Sequence, residues 1–319
     1  MAGPRKKKSP ATAEKPTTQK PQKTEFLTYQ SFHLQKKIKP DKKMMGSFRL
    51  FLQAVGVLKR NFKLFLGITI IYSLFYLVLV QGIASLDSLN ETKAEFESTA
   101  SGPFKSVLTG LGVFAQLLGS SGSLSATANS YQLLVTLLAS LAIIWTLRQV
   151  YIEGVSVRIR DGYYYGMYPL VPFLLVVGVI TLQLIPMAIG GALFSTVVNN
   201  GIAISTAEIV LWATGFFVLS LISLYMMTSS LFALYIVTLP NTAPMQALRS
   251  ARQLVRGRRW QALRKVLFLP FAFILVGAVV VVPIVIFATP IVGWVFFVLL
   301  AMALTVGHSY MYALYRSLI

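Results

Sequence analysis

LFLGITIIYSLFYLVLVQGI, running from Leu64 to Ile83, decides the fold class. The stretch contains no Asp, Glu, Lys or Arg. At about 1.5 Å per residue, a helix of this length matches the hydrocarbon thickness of a bilayer, about 30 Å. Lys59, Arg60 and Lys63 stand just before it. No long apolar run precedes it, so no cleavable signal peptide is read, and the first span acts as its own insertion signal.

Outward from this stretch the same pattern recurs five times. Tyr131 to Leu147 is closed by Arg148, and Leu170 to Phe194 contains Pro172 and Pro186. Ile209 to Leu234 follows a polar turn with Asn199, Asn200 and Gly201. Val266 to Phe287 contains Pro270 and Pro283, and the turn Ala288-Thr289-Pro290 leads to Ile291 to Leu314. The expectation is an all-α, polytopic transmembrane helix bundle of about six spans, arranged as three hairpins, over residues 46–319. Residues 1–45 read as a disordered basic tail, because the opening Lys, Pro, Thr, Gln and Ala offer nothing to bury. Between the first two spans, Phe104 to Leu118 is too short to cross and reads as an interfacial or re-entrant helix.

Composition agrees with the membrane class. The chain is 55% hydrophobic and 12% charged, against about 25% charged in soluble domains. Its net charge of +19 would suggest nucleic acid in a soluble protein. Here the excess flanks the apolar spans. Of the 29 Lys and Arg, 27 fall in the segments assigned to the inside and 2 outside. The positive-inside rule then puts both termini in the cytoplasm.

Each pair of spans is preceded by an amphipathic segment. The first starts at Ser47, read as an N-cap, with Phe48, Leu50, Phe51, Ala54, Val55, Val57 and Leu58 at near-helical spacing. Ala54-Val55-Gly56-Val57-Leu58-Lys59 then resembles Ala251-Arg252-Gln253-Leu254-Val255-Arg256, giving a faint threefold repeat. The middle copy, near Tyr151 to Tyr168, is similar in topology only. In Pro244 to Arg264, Arg249, Arg252, Arg256 and Arg259 are spaced to form one stripe of a helix, with Trp260 beside them. The stripe reads either as a docking surface for anionic headgroups or an acidic partner, or as arginines that fix topology and snorkel. The second account is the stronger one. For the tail, Arg5-Lys6-Lys7-Lys8, Lys36-Lys37 and Lys42-Lys43 fit a lipid surface first and a protein partner next. Nucleic acid comes last, since no aromatics interleave the charges.

Catalytic chemistry finds no foothold. There is no cysteine, no nucleophile elbow and no phosphate-binding glycine loop. The two histidines, His33 and His308, are far apart, so no metal or cofactor is expected. Glu153 and Asp161 lie among Arg158 and Arg160 and read as local salt bridges. The polar residues Gln183, Ser223, Thr228 and His308 fall in kinked spans. They read as a solute pathway or, more strongly, as groups that satisfy freed backbone and bond between helices. The expectation is a non-enzymatic membrane protein that organises lipid or binds a partner at the cytoplasmic face. The alternative is a small-molecule or lipid transporter.

Pro244-Met245-Gln246-Ala247-Leu248-Arg249-Ser250-Ala251-Arg252-Gln253-Leu254-Val255-Arg256-Gly257, followed by Arg258-Arg259-Trp260, runs into a proline-containing hairpin that ends Tyr312-Ala313-Leu314-Tyr315-Arg316. This pattern resembles the six-helix membrane domain associated with bacterial glycerophosphodiester phosphodiesterases, over roughly residues 46–319. The resemblance implies the architecture and a bacterial inner-membrane location. In that family catalysis belongs to a separate soluble domain. No such domain is expected beside this tail and C-terminus, and no catalytic residue is carried over.

Overall fold

A computed structural model describes residues 45–80, 126–151, 157–203, 205–287 and 291–319, all within the compact unit Leu34–Ile319. Among the described residues the regular elements are all helices. They are α1 (Ser47–Arg60), α2 (Phe62–Val80), α3 (Ala126–Tyr151), α4 (Ile159–Gly166), α5 (Leu170–Asn199), α6 (Thr206–Ile236), α7 (Pro244–Leu254), α8 (Arg259–Phe287) and α9 (Val292–Leu318). Six of them, α2, α3, α5, α6, α8 and α9, are long and apolar enough to cross a membrane. They pair as the hairpins α2–α3, α5–α6 and α8–α9. The chain is an all-α, multi-pass membrane protein. The expectations for the tail before Met45, for Phe104 to Leu118, for Glu153 and for the turn at Ala288-Thr289-Pro290 fall outside the described residues.

The helices overrun the apolar stretches at several ends, because backbone hydrogen bonding continues wherever a cap can be supplied. At the start of α6 the Ser205 hydroxyl accepts from Glu208 N at 3.3 Å, and the Glu208 carboxylate accepts from Ser205 N at 3.4 Å. This capping box satisfies two end donors at once. Ser47, by contrast, is the first residue of α1 and not its cap; Gly46 holds that place without a side-chain bond. Pro172 lies in the first turn of α5, where its missing N–H is no loss, so only Pro186 is internal to that helix. Pro270 and Pro283 are both inside α8.

The short helices follow a rule. α4 packs on α2 and α3, and α7 packs on α5 and α6. Each therefore lies against the hairpin before it in the chain. α1, the first of the described helices, packs on α9, the last helix of the third hairpin. The spans follow suit: α3 meets α5, α6 meets α8, and α9 meets α2. The faint threefold repeat of the sequence is thus realised as a closed cycle of three units, each a short helix followed by a hairpin.

Small residues set these contacts. Gly162 and Gly166, one turn apart, are the buried face of α4. A Cβ on Gly166 would come within 3.1 Å of the Ala142 Cα and of the Leu141 carbonyl oxygen in α3. On α1, Leu50 and Ala54 are fully buried. The Ser309 hydroxyl of α9 donates to the Ala54 carbonyl at 3.1 Å, and Lys265 Nζ of α8 donates to the Met45 carbonyl. The first described residues and α1 are thereby tied to both helices of the third hairpin.

Candidate functional site

Two arrangements qualify, one at the basic ends of the spans and one among the spans.

At the basic end, the expected single stripe is divided. α7 stops at Leu254, and Gly257 takes a φ of 82°, in the left-handed region that favours glycine. Arg249 and Arg252 lie exposed on α7, Arg256 lies exposed in the turn, and Arg259 opens α8. The i, i+3, i+7, i+10 spacing is therefore not one helical face, because α7 ends at Leu254 and Arg259 belongs to α8. Arg259 is drawn aside: it donates to the Tyr225 hydroxyl at 3.2 Å and lies 5.3 Å from the centre of that ring. Trp260 is 70% exposed. Arg249, Arg252 and Arg256 remain as outward cations beside an outward indole.

Connectivity collects positive charge at this end. The first residues of α2, α5 and α8 and the last of α3, α6 and α9 all lie here, with α1, α4 and α7 between them. Of the described carboxylates, Asp161 stands at this end and Glu208 at the opposite one. Asp161 Oδ2 accepts from the Arg158 backbone N–H at 3.2 Å, so it caps α4. That is the role the structure gives it, in place of the expected side-chain salt bridge.

Two basic residues turn inward. Arg148, read from sequence as a span terminator, is buried. Its guanidinium donates to the Thr238 carbonyl at 2.7 Å and to the Thr238 hydroxyl. Thr238 follows the C-terminus of α6, where unpaired carbonyls carry partial negative charge, so a cation here caps the helix and complements its dipole. Lys265 is buried as well, its ammonium on the Met45 carbonyl. The helices α3 and α8 thus carry cations past the limits of the apolar runs, held by backbone oxygens.

Among the spans, His308 is the centre of a chain of hydrogen bonds. The Ser140 hydroxyl donates to the Thr136 carbonyl at 2.7 Å. Its oxygen is left to accept from His308 Nε2–H at 2.9 Å. On the other side of the ring, Nδ1 and the Tyr235 hydroxyl share a hydrogen bond of 3.1 Å. One residue each from α3, α6 and α9, the second helices of the three hairpins, meet at this point. Both ring nitrogens are engaged in hydrogen bonds. The arrangement is a clasp between hairpins.

The other polar residues singled out in the sequence are separate from it. Ser223 is fully buried and accepts from the Met187 N–H at 3.0 Å, one residue after Pro186. It satisfies a donor beside the proline. Thr228 donates to Leu224 O of its own helix at 2.7 Å. Gln183 has a buried Oε1 without a hydrogen-bond partner, as does the Ser220 hydroxyl. None of Gln183, Ser223, Thr228 and His308 is hydrogen-bonded to another of the four.

Ser140 and Tyr235 of the clasp were not singled out in the sequence, and neither was the separate contact of Arg148 with Thr238. Thr136 and Ser140, spaced by four in a largely apolar span, were the available signal for a polar stripe on α3. Among the described residues no three His, Cys, Asp or Glu side chains could hold a metal ion together. No protein-family model matches the chain, and no curated protein or solved structure does either.

Proposed function

We propose that the chain is a non-enzymatic protein of the bacterial cytoplasmic membrane, with both termini in the cytoplasm, whose basic end binds anionic phospholipid headgroups. The observation that carries this reading is the set Arg249, Arg252 and Arg256, held outward by the turn at Gly257, next to the exposed indole of Trp260. Cations at the end of a span bind phosphate, and an indole at headgroup depth anchors the helix. Near an anionic surface each such charge contributes about 1 kcal/mol. The charge asymmetry of the whole sequence supports the orientation, and the resemblance over Pro244 to Trp260 supports the location.

The test is extraction into native-lipid nanodiscs, followed by mass spectrometry of the co-purifying lipid and protein. Wild type is compared with a variant carrying Gln at Arg249, Arg252, Arg256 and Arg259. Enrichment of anionic lipid in wild type and its loss in the variant is the expected result. Equal lipid in both would refute the headgroup role. Orientation is testable separately, because the chain contains no cysteine. A cysteine replacing Gln253 should react with an impermeant maleimide only from the cytoplasmic side, and one replacing Ile202 only from the other.

Transport is the competing reading, and one observation favours it: the unpartnered Oε1 of Gln183. An orphan acceptor inside a bilayer costs free energy that a polar solute could recover. Solute that co-purifies with wild type, and is lost on Gln183→Leu with the fold intact, would move the assignment to transport.

A further inference from the structure

The cycle of three units extends the lipid reading beyond α7. α4 and α7 turn a buried face onto the preceding hairpin and α1 turns one onto α9, and each leaves a face outward at the basic end. The outward faces have the same composition. On α1 and the start of α2 the exposed residues include Arg49, Lys59 and Arg60, with Phe48 65% exposed and Phe62 also outward. On α4 and the turn after it they are Arg158 and Arg160, with Tyr164 outward and Tyr168 89% exposed. On α7 and the start of α8 they are Arg249 and Arg252, with Trp260. Each unit thus offers at least two cations and a large exposed ring.

That combination has a defined chemistry. A phenylalanine, tyrosine or tryptophan left in water at three such places would be unfavourable apolar exposure. At headgroup depth the ring lies in the acyl–carbonyl boundary while the cations reach the phosphodiester. α1 shows the division by angle. Leu50 and Ala54 face α9, Phe48, Leu52 and Val55 share a second side, and Arg49, Gln53 and Arg60 share a third. This division, with Lys59 at the end of the apolar side, suits a helix lying flat in the interface, where a lysine snorkels to the headgroups.

We propose that the protein carries three quasi-equivalent seats for anionic phospholipid headgroups, one on the outward face of each of α1, α4 and α7. This inference rests on the headgroup reading above and adds the number and the places. The seats differ in strength. The α1 seat has Arg49, Lys59 and Arg60 and the α7 seat has Arg249, Arg252 and Arg256, whereas the α4 seat has two arginines next to Asp161. The α4 seat is therefore the weakest of the three.

The experiment uses the full chain in phosphatidylcholine nanodiscs with stepwise addition of phosphatidylglycerol, read by native mass spectrometry. Three double variants are compared with wild type: Arg49→Gln with Arg60→Gln, Arg158→Gln with Arg160→Gln, and Arg249→Gln with Arg252→Gln. Wild type should retain up to three phosphatidylglycerol molecules. Each variant should lose one of them, weakening that seat by about 30-fold for two charges. The matching Arg→Lys variants should keep the lipid and show that the fold is intact. If only the α7 pair changes the count, a single seat exists and the threefold proposal is overturned while the headgroup role stands. If wild type retains no phosphatidylglycerol, both fall.

Discussion

α3 and the hairpin α5–α6 are built from similar residues and treated differently by the fold. More than half of the most apolar stretch of α3, 56%, is buried within the protein, against 6% of that of α6. Their hydroxyls differ in the same way. In the exposed stretches of α5 and α6, Thr181, Thr196 and Thr214 each donate to the carbonyl four residues back, at 3.1, 2.8 and 2.7 Å. In the shared core, hydroxyls also reach other helices: Ser140 to His308, Ser309 to the Ala54 carbonyl, and Thr69 to Thr305 at 2.9 Å. A side chain facing lipid has only its own helix to satisfy it, whereas one facing protein can join two helices. Polar residues in a span therefore carry two meanings, and the neighbour decides which applies.

The comparison can be broken most sharply by truncating one residue in each region. Ile144 in α3 is fully buried, and Leu211 in α6 is 69% exposed. Ile144→Ala should cost about 2–5 kcal/mol through lost contacts and the cavity left behind. Leu211→Ala should stay within about 0.5 kcal/mol. Reversible unfolding in mild detergent reads both, and equal losses would show that the hairpin is buried in an assembly.

His308→Leu comes next. It leaves the Tyr235 phenol without its partner, at about 1–3 kcal/mol, while Ser140 keeps its bond to the Thr136 carbonyl. A thermal-shift measurement should show a fall, and Ser140→Ala in the same background should add little, because the two act as one unit. Additive losses would mean that the hydrogen bond at 2.9 Å does not couple the helices.

A smaller effect is expected at the proline of α5. Ser223→Ala removes the acceptor for the Met187 N–H and should cost about 1 kcal/mol. In a Pro186→Ala background that N–H can return to its own helix, and the same substitution should then cost less. An unchanged cost would show that Ser223 does not serve the proline.

The smallest effect is one of pH. Tyr163 of α4 donates to the Ile68 carbonyl at 3.0 Å. Burial, and to a lesser degree the neighbouring Tyr72, push its phenol above the ordinary value. Because the folded pKa is raised, the stability it contributes is complete below about pH 10 and is lost as pH climbs past that value. Unfolding followed against pH should show a decline above pH 10 that Tyr163→Phe removes.

Much of this protein is local and was legible in its residues. Six apolar runs, their hairpin order and the gathering of cations at one end follow from what a bilayer demands of any span. Each span must satisfy its own backbone, match a fixed thickness and keep its charges outside it. Those demands act within about twenty residues, so a sequence window contains them. Tertiary structure alone decided that α1 closes the cycle on α9, that Arg148 turns inward to cap α6, and that the arginine stripe breaks at Gly257. It also chose the partners of His308, Tyr235 lying 73 residues away and Ser140 168. The physical reason is that a partner is selected by the rotation and crossing of helices. Those are set by the sum of contacts from distant segments, down to the space left by two glycines of α4, and no periodicity within one helix encodes them.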